Sequence, residues 1–151
     1  VLATDLQEAP ELSEAARDSD DIIRFFQEDM FDLDSDFRKA ARDTRPFQLV
    51  MSDMAPKTTG VKFADQARSH DLALGALELA REFLEAGGHF VVKIFMGPDS
   101  NELAKDMRTS FKTVKSFKPK SSRSESKEVF YVGLGFKGDG SARDGENSPE
   151  V

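Results

Sequence analysis

The sequence predicts an α/β protein built on a mostly parallel sheet with helices on both faces. Three observations carry that expectation. Short β-branched and aromatic runs alternate with segments of helical apolar spacing, the pattern of strand-helix-strand units. Three successive strand-like runs end in an acid, at Asp5, Asp29 and Asp53, and in open α/β sheets ligands bind outside those carboxyl ends. The length, 151 residues with 38% hydrophobic side chains, suits one core of moderate size and excludes two full domains.

Taken in order, Val1 to Asp5 reads as the end of a buried strand stopped by an acid. Residues 7–20, acidic and interrupted by Pro10, are a solvated connection with room for a short helix at 11–16. Residues 22–26 (Ile-Ile-Arg-Phe-Phe) form the next strand, which runs out into Glu28 and Asp29. Residues 34–42 make a short helix capped by Asp34 or Ser35 and stopped before Pro46. Residues 47–53 are a buried strand, and Pro56 to Gly60 a loop. Apolar residues at 72, 74, 77, 79, 80, 83 and 84 predict a helix over 65–85 that Gly87 and Gly88 terminate. A fourth strand at 89–95, a helix at 101–111 and strands at 113–117 and 128–136 complete the order. From Gly138 the chain is Gly, Ser and acids, a composition expected to stay disordered.

Charge is distributed unevenly. The net value of −7 argues against a polyanionic partner, yet residues 1–36 carry twelve carboxylates against two arginines, while residues 105–127 hold eight Lys and Arg against two acids. One edge is therefore suited to phosphates while the rest stays acidic. With no cysteine, disulfides, thiolate metal sites and cysteine nucleophiles are excluded, and a reducing compartment is favoured. Apolar runs such as Phe90-Val91-Val92 are far short of the ~20 residues that span a bilayer, so a soluble protein without membrane contact is expected. The start resembles no signal peptide and lacks an initiator Met, which suggests a fragment.

Four features point to chemistry: Asp53 in Met51-Ser52-Asp53-Met54-Ala55-Pro56, Lys93 inside an apolar strand, the Ser/Arg/Lys segment 118–127, and Glu128 opening the last strand. A lysine flanked by Val91, Val92, Ile94 and Phe95 needs a cleft or a carboxylate partner; the bland alternative is an edge lysine that snorkels to water. Asp53 could simply cap the following turn. Lys115, Lys118, Lys120, Arg123 and Lys127, interleaved with serines, fit phosphate positioning or else a solvated loop, and Lys57 and Lys62 extend that surface. His70 and His89 stand alone, without the spacing of a metal site. Gly133 and Gly135 are close-packing or bulge positions. No G-x-G-x-x-G follows any strand, which weighs against a dinucleotide oxidoreductase.

The Asp53 segment, then Gly87-Gly88 leading to Val91-Val92-Lys93, then Lys118-Pro119-Lys120-Ser121-Ser122-Arg123 with Ser126, Glu128, Tyr131 and Gly135, together resemble the FtsJ/RrmJ family. Its members are S-adenosylmethionine-dependent RNA ribose 2′-O-methyltransferases of Rossmann-like class I fold, and the bacterial and mitochondrial ones modify a uridine of large-subunit ribosomal RNA. The resemblance runs from Asp5 to about Lys137 and implies a methyltransferase domain over 1–137, from the family's second strand onward, followed by an acidic tail over 138–151. It implies Asp53, Lys93 and Glu128 as the last three members of a Lys-Asp-Lys-Glu catalytic tetrad. It also implies Asp5, Asp29 and Asp53 as contacts to S-adenosylmethionine, and Lys118, Lys120 and Arg123 fit RNA binding. A monomer acting on ribosomal RNA or a pre-ribosomal particle in the cytoplasm, or else in the mitochondrion, follows.

In that frame Lys93 is the candidate base for the ribose hydroxyl, Asp53 positions and favours a cationic cofactor, and Glu128 orients Lys93. Desolvation favours the neutral amine, whereas Asp53 and Glu128 favour the ammonium, which would steer the hydroxyl instead of accepting its proton. The family's first strand, its G-x-x-P-G-G-W cofactor loop and the tetrad's first Lys have no counterpart in this sequence. An N-terminally incomplete copy that binds cofactor weakly by itself is therefore expected, with a non-catalytic RNA-binding remnant as the alternative.

Overall fold

The computed structural model describes residues 1–11, 23–119 and 127–138. The predicted helix at 11–16, apart from Glu11, and the acidic tail, apart from Gly138, lie outside those residues, as do Lys120 and Arg123. The chain divides into two compact units, Val1–Arg45 and Pro46–Val151.

In the first unit, strands β1 (Leu2–Asp5) and β2 (Arg24–Gln27) pair in parallel, Leu2 opposite Arg24 through Asp5 opposite Gln27. Helix α1 (Asp36–Thr44) follows, with Ser35 as its N-cap: the Ser35 side chain accepts the Arg38 N–H. Glu28 ties the unit together. Its carbonyl accepts the Thr4 hydroxyl and its Oε2 the Phe37 N–H, both at 2.8 Å. Phe37 meets Phe26 edge to face at 6.0 Å between ring centres.

The second unit holds strand β3 (Phe47–Ser52), helix α2 (Lys62–Phe83), strand β4 (Leu84–Phe95), helix α3 (Ser100–Ser110), and strands β5 (Phe111–Phe117) and β6 (Glu128–Phe136). The strands form one sheet in the order β3-β4-β6-β5. β3 and β4 are parallel, but β6 inserts between β4 and β5 and runs antiparallel to both. The α/β class stands. The described ladders, however, divide evenly between parallel and antiparallel, because the last strand turns back into the sheet instead of extending its edge.

Both helices of this unit pack on the same face of its four-stranded sheet. Phe90, Val92 and Ile94 of β4 join Ala73, Ala76, Leu77 and Ala80 of α2 and Leu103, Ala104 and Met107 of α3 in one buried cluster. The α2 stripe differs from the spacing read from its leucines. The alanines at 73, 76 and 80 face the sheet and Leu72 and Leu74 flank them, since small side chains let the helix approach closely.

Two further expectations are corrected. Helix α2 ends at Phe83, ahead of the glycines, and runs straight into β4, whose Leu84 pairs with Phe47. Gly87 and Gly88 instead form a bulge where the β3–β4 register shifts. Gly87 has φ +86°, and a Cβ on Gly88 would sit 3.2 Å from the Gln48 carbonyl oxygen. Strand β3 is not buried either. Among the described residues it has β4 as its one neighbour in the sheet, and on its face away from the helices Met51 is 70% exposed and Leu49 is also open. Gly133, read as a close-packing position, is one: a Cβ there would lie 2.7 Å from Cγ of Phe111.

Candidate active site

Strand alternation decides which side chains reach the face away from the helices. Since Phe90, Val92 and Ile94 point into the core, Lys93 points the other way. It lies opposite Phe130 of β6, and Glu128, two residues earlier in β6, stands diagonally across on the same face. Diagonal cross-strand partners are within reach of long side chains, and Lys93 Nζ lies 3.8 Å from Glu128 Oε1 with 16% of the lysine side chain exposed. The edge-lysine reading does not apply, because β4 is flanked by β3 and β6. The charge on this strand is answered by a carboxylate.

Asp53 joins them by register. Ser52 pairs with Val92, so Asp53, the next residue, leaves β3 level with Lys93 and is exposed at the strand end. Asp5 and Asp29 belong to the first unit. Asp5 Oδ1 accepts the Gln7 N–H at 2.8 Å and Asp29 Oδ1 the Phe31 N–H at 2.9 Å, turn-capping bonds of the kind short acidic side chains make two residues on. Lys118 is exposed just beyond β5.

The end of β4 is held by residues the sequence did not single out. Ser69 of α2, on the buried alanine stripe, accepts the Phe95 N–H at 2.9 Å, and Gln66 Nε2 donates to the Met96 carbonyl at 2.7 Å. Asp65 Oδ1 accepts both the N–H and the hydroxyl of Thr59 at 2.8 Å, which fastens the loop after Asp53 to the helix. The Thr59 N–H foremost, with the hydroxyl's help and against the effect of burial, holds the Asp65 carboxyl below the usual carboxylate value. The signal for this role was present as polar residues at 65 and 69, one helical turn apart on an otherwise apolar face. Beside Glu128 a cavity of about 360 Å³ opens, lined by Lys62, Asp65, Gln66, Phe95, Lys127 and Glu128.

Among the described residues no group of three or more His, Asp and Glu is arranged to hold a metal ion, and no helix is long and apolar enough to cross a membrane. His89 Nδ1 accepts the Gly135 N–H at 3.2 Å.

Residues 1–136 match the model of the FtsJ-like methyltransferase family. Ribosomal RNA large subunit methyltransferase E of Oleidesulfovibrio alaskensis is 62% identical over 116 residues, 77% of this chain and 56% of that protein. The protein of the same name from Nitratidesulfovibrio vulgaris is 53% identical over 138 residues, 91% of this chain and 65% of its own length. The chain thus spans between 56% and 65% of these two curated relatives. Among solved structures, a Plasmodium falciparum protein described as a ribosomal RNA methyltransferase superposes with a TM-score of 0.73 at 23% identity, over 92% of this chain and 73% of that one. An rRNA methylase from Streptococcus thermophilus gives 0.55 at 16% identity, over 91% and 74%. These likenesses establish the Rossmann-like α/β fold.

Proposed function

The chain belongs to the FtsJ-like methyltransferase family, and from that premise we propose that it methylates RNA, moving the methyl group of S-adenosylmethionine to the ribose 2′-hydroxyl of a uridine in large-subunit ribosomal RNA. The observation that carries this reading is the Lys93–Glu128 pair, 3.8 Å apart on an open sheet face, with Asp53 at the neighbouring strand end. The names of the relatives supply the ribosomal RNA.

The acids at the strand ends suit S-adenosylmethionine. Asp5 and Asp29 each commit one oxygen to their own turn, and the second oxygen is without a hydrogen bond from a described residue, so it can accept from a ribose hydroxyl or an adenine amine. Asp53, exposed, offers a negative charge to a cation. When bound, the cofactor supplies an electrophilic methyl carbon on a sulfonium.

Methyl transfer is an in-line displacement, so the protein must align the ribose oxygen and manage one proton. Lys93 faces the hydroxyl and accepts its proton as the new O–C bond forms; Glu128 holds the amine in place. The 3.8 Å pairing with a carboxylate also favours a second reading, in which Lys93 acts as an ammonium that donates to the ribose oxygen and steadies its developing charge. Lys118, with Lys120 and Arg123, positions RNA phosphates. Residues 1–137 are the methyltransferase domain in this reading, working as a monomer in the bacterial cytoplasm on ribosomal RNA or its precursor particle.

The test is transfer of a labelled methyl group from S-adenosylmethionine to large ribosomal subunits lacking the modification, using the full-length gene product and its Lys93→Ala variant. Label on a uridine 2′-oxygen that disappears in the variant, with cofactor affinity unchanged by calorimetry, is the expected result. RNA binding without any transfer would instead favour a non-catalytic RNA-binding protein.

A further inference from the structure

The cavity beside Glu128 brings together two lysines from distant parts of the chain. Lys62 opens helix α2 and Lys127 immediately precedes β6, and both line the same space of about 360 Å³. The Lys62 side chain beside it foremost, then burial and the repulsion between the two charges, holds Lys127 below the usual lysine value.

The two acids on the cavity wall are already engaged, Asp65 with the N–H and hydroxyl of Thr59 and Glu128 with Lys93. Neither Lys62 nor Lys127 has a carboxylate partner among the described residues. Two like charges that share a cavity, neither with an ion pair of its own, favour an anion placed between them. Next to Lys62, Phe63 leaves 74% of its surface exposed in the first turn of α2. An exposed aromatic one residue along the chain from a cationic pair, outside the cavity lining, suits single-stranded RNA, the cations on the backbone and the ring under a neighbouring base.

We propose that Lys62 and Lys127 clamp a backbone phosphate of single-stranded substrate RNA in this cavity, and that Phe63 stacks on an adjoining base. The clamp rests on the RNA-methylating function proposed above and extends it: Glu128 borders both the cavity and Lys93, so a phosphate held by the two lysines sets the position of the ribose offered to Lys93. The clamp reads backbone and flexibility, and it selects an unpaired strand over a duplex, whose bases cannot turn out to stack.

The experiment measures binding of a fluorescent single-stranded oligoribonucleotide at several salt concentrations, with circular dichroism confirming that each variant is folded. The full-length gene product is compared with Lys62→Ala/Lys127→Ala, with Phe63→Ala, and with a charge-matched control, Lys39→Ala/Arg68→Ala, whose residues are exposed outside the cavity. The lysine pair variant should flatten the slope of log affinity against log salt by about 0.7 for each phosphate it no longer neutralises. Phe63→Ala should weaken binding about 5- to 100-fold at an unchanged slope. The control should leave the slope of the parent.

A lysine-pair slope equal to the control's overturns the clamp while leaving the methylation reading intact. So does displacement of the oligonucleotide by inorganic phosphate at matched ionic strength, which would assign the pair to a free anion. Absence of RNA binding by the parent protein would overturn the methylation reading and the clamp together.

Discussion

Lys93 Nζ and Glu128 Oε1 stand 3.8 Å apart across two antiparallel strands, joined diagonally because Lys93 pairs with Phe130 and Glu128 with Phe95. The pair exists because β6 inserts beside β4; had β5 taken that place, Lys93 would face a different strand.

Lys93→Ala should lower methyl transfer about 10²- to 10⁴-fold, the usual contribution of a positioned proton acceptor, without changing cofactor affinity. Glu128→Gln keeps the side chain's shape and removes its charge, so a smaller loss is expected. Lys93→Arg separates the two roles, since a guanidinium cannot act as a base. No recovery over alanine supports proton acceptance, and substantial recovery supports an ammonium that only donates.

Asp65→Asn should lower the midpoint of thermal unfolding at neutral pH by weakening the acceptor of both Thr59 donors. Because the folded value lies below the ordinary aspartate value of 3.8, the carboxylate stabilises the fold above that pH, and the benefit is lost as pH falls through the folded value. The gap between wild type and variant should therefore be constant from pH 7 to about 5 and close at the acid end. Unfolding curves across that range measure it, and a gap that widens on acidification would contradict the assignment.

Gly133→Ala should destabilise the fold by about 1–3 kcal/mol, as overpacking of a filled core does. The added Cβ would lie 2.7 Å from Cγ of Phe111, a ring that is 1% exposed and stacked with Phe90, so it has little room to retreat. Urea titration would show a lower midpoint at an unchanged slope. Pairing Gly133→Ala with Phe111→Leu should return part of the loss.

Replacing Lys118, Lys120 and Arg123 by Ala should flatten the salt dependence of RNA binding by ~2 log units per log unit of salt, about 0.7 for each side chain removed from a phosphate of a single strand. Cofactor affinity should stay the same. An unchanged slope would return that segment to a solvated loop.

Much of this protein is legible along the chain. The residues of β6, the Ser35 cap of α1 and the helix ahead of β4 follow from local pattern, because hydrophobic period and capping chemistry act over a few neighbours. The family is legible as well, since the residues that carry the resemblance sit in short contiguous motifs.

Tertiary structure alone decided what depends on which strands become neighbours. Sheet order is set by long-range pairing that leaves no local periodicity, so the antiparallel insertion of β6, the open face of β3 at Met51, and the diagonal cross-strand geometry of the expected Lys93–Glu128 pairing had to come from the fold. The same holds for Gly87, whose positive φ serves a bulge as readily as a helix end, and for Lys62 and Lys127. In sequence Lys127 belongs to a basic stretch suited to phosphates and Lys62 extends that surface, but nothing there brings the two together. They share one cavity because the start of α2 and the start of β6 converge beside the end of β4.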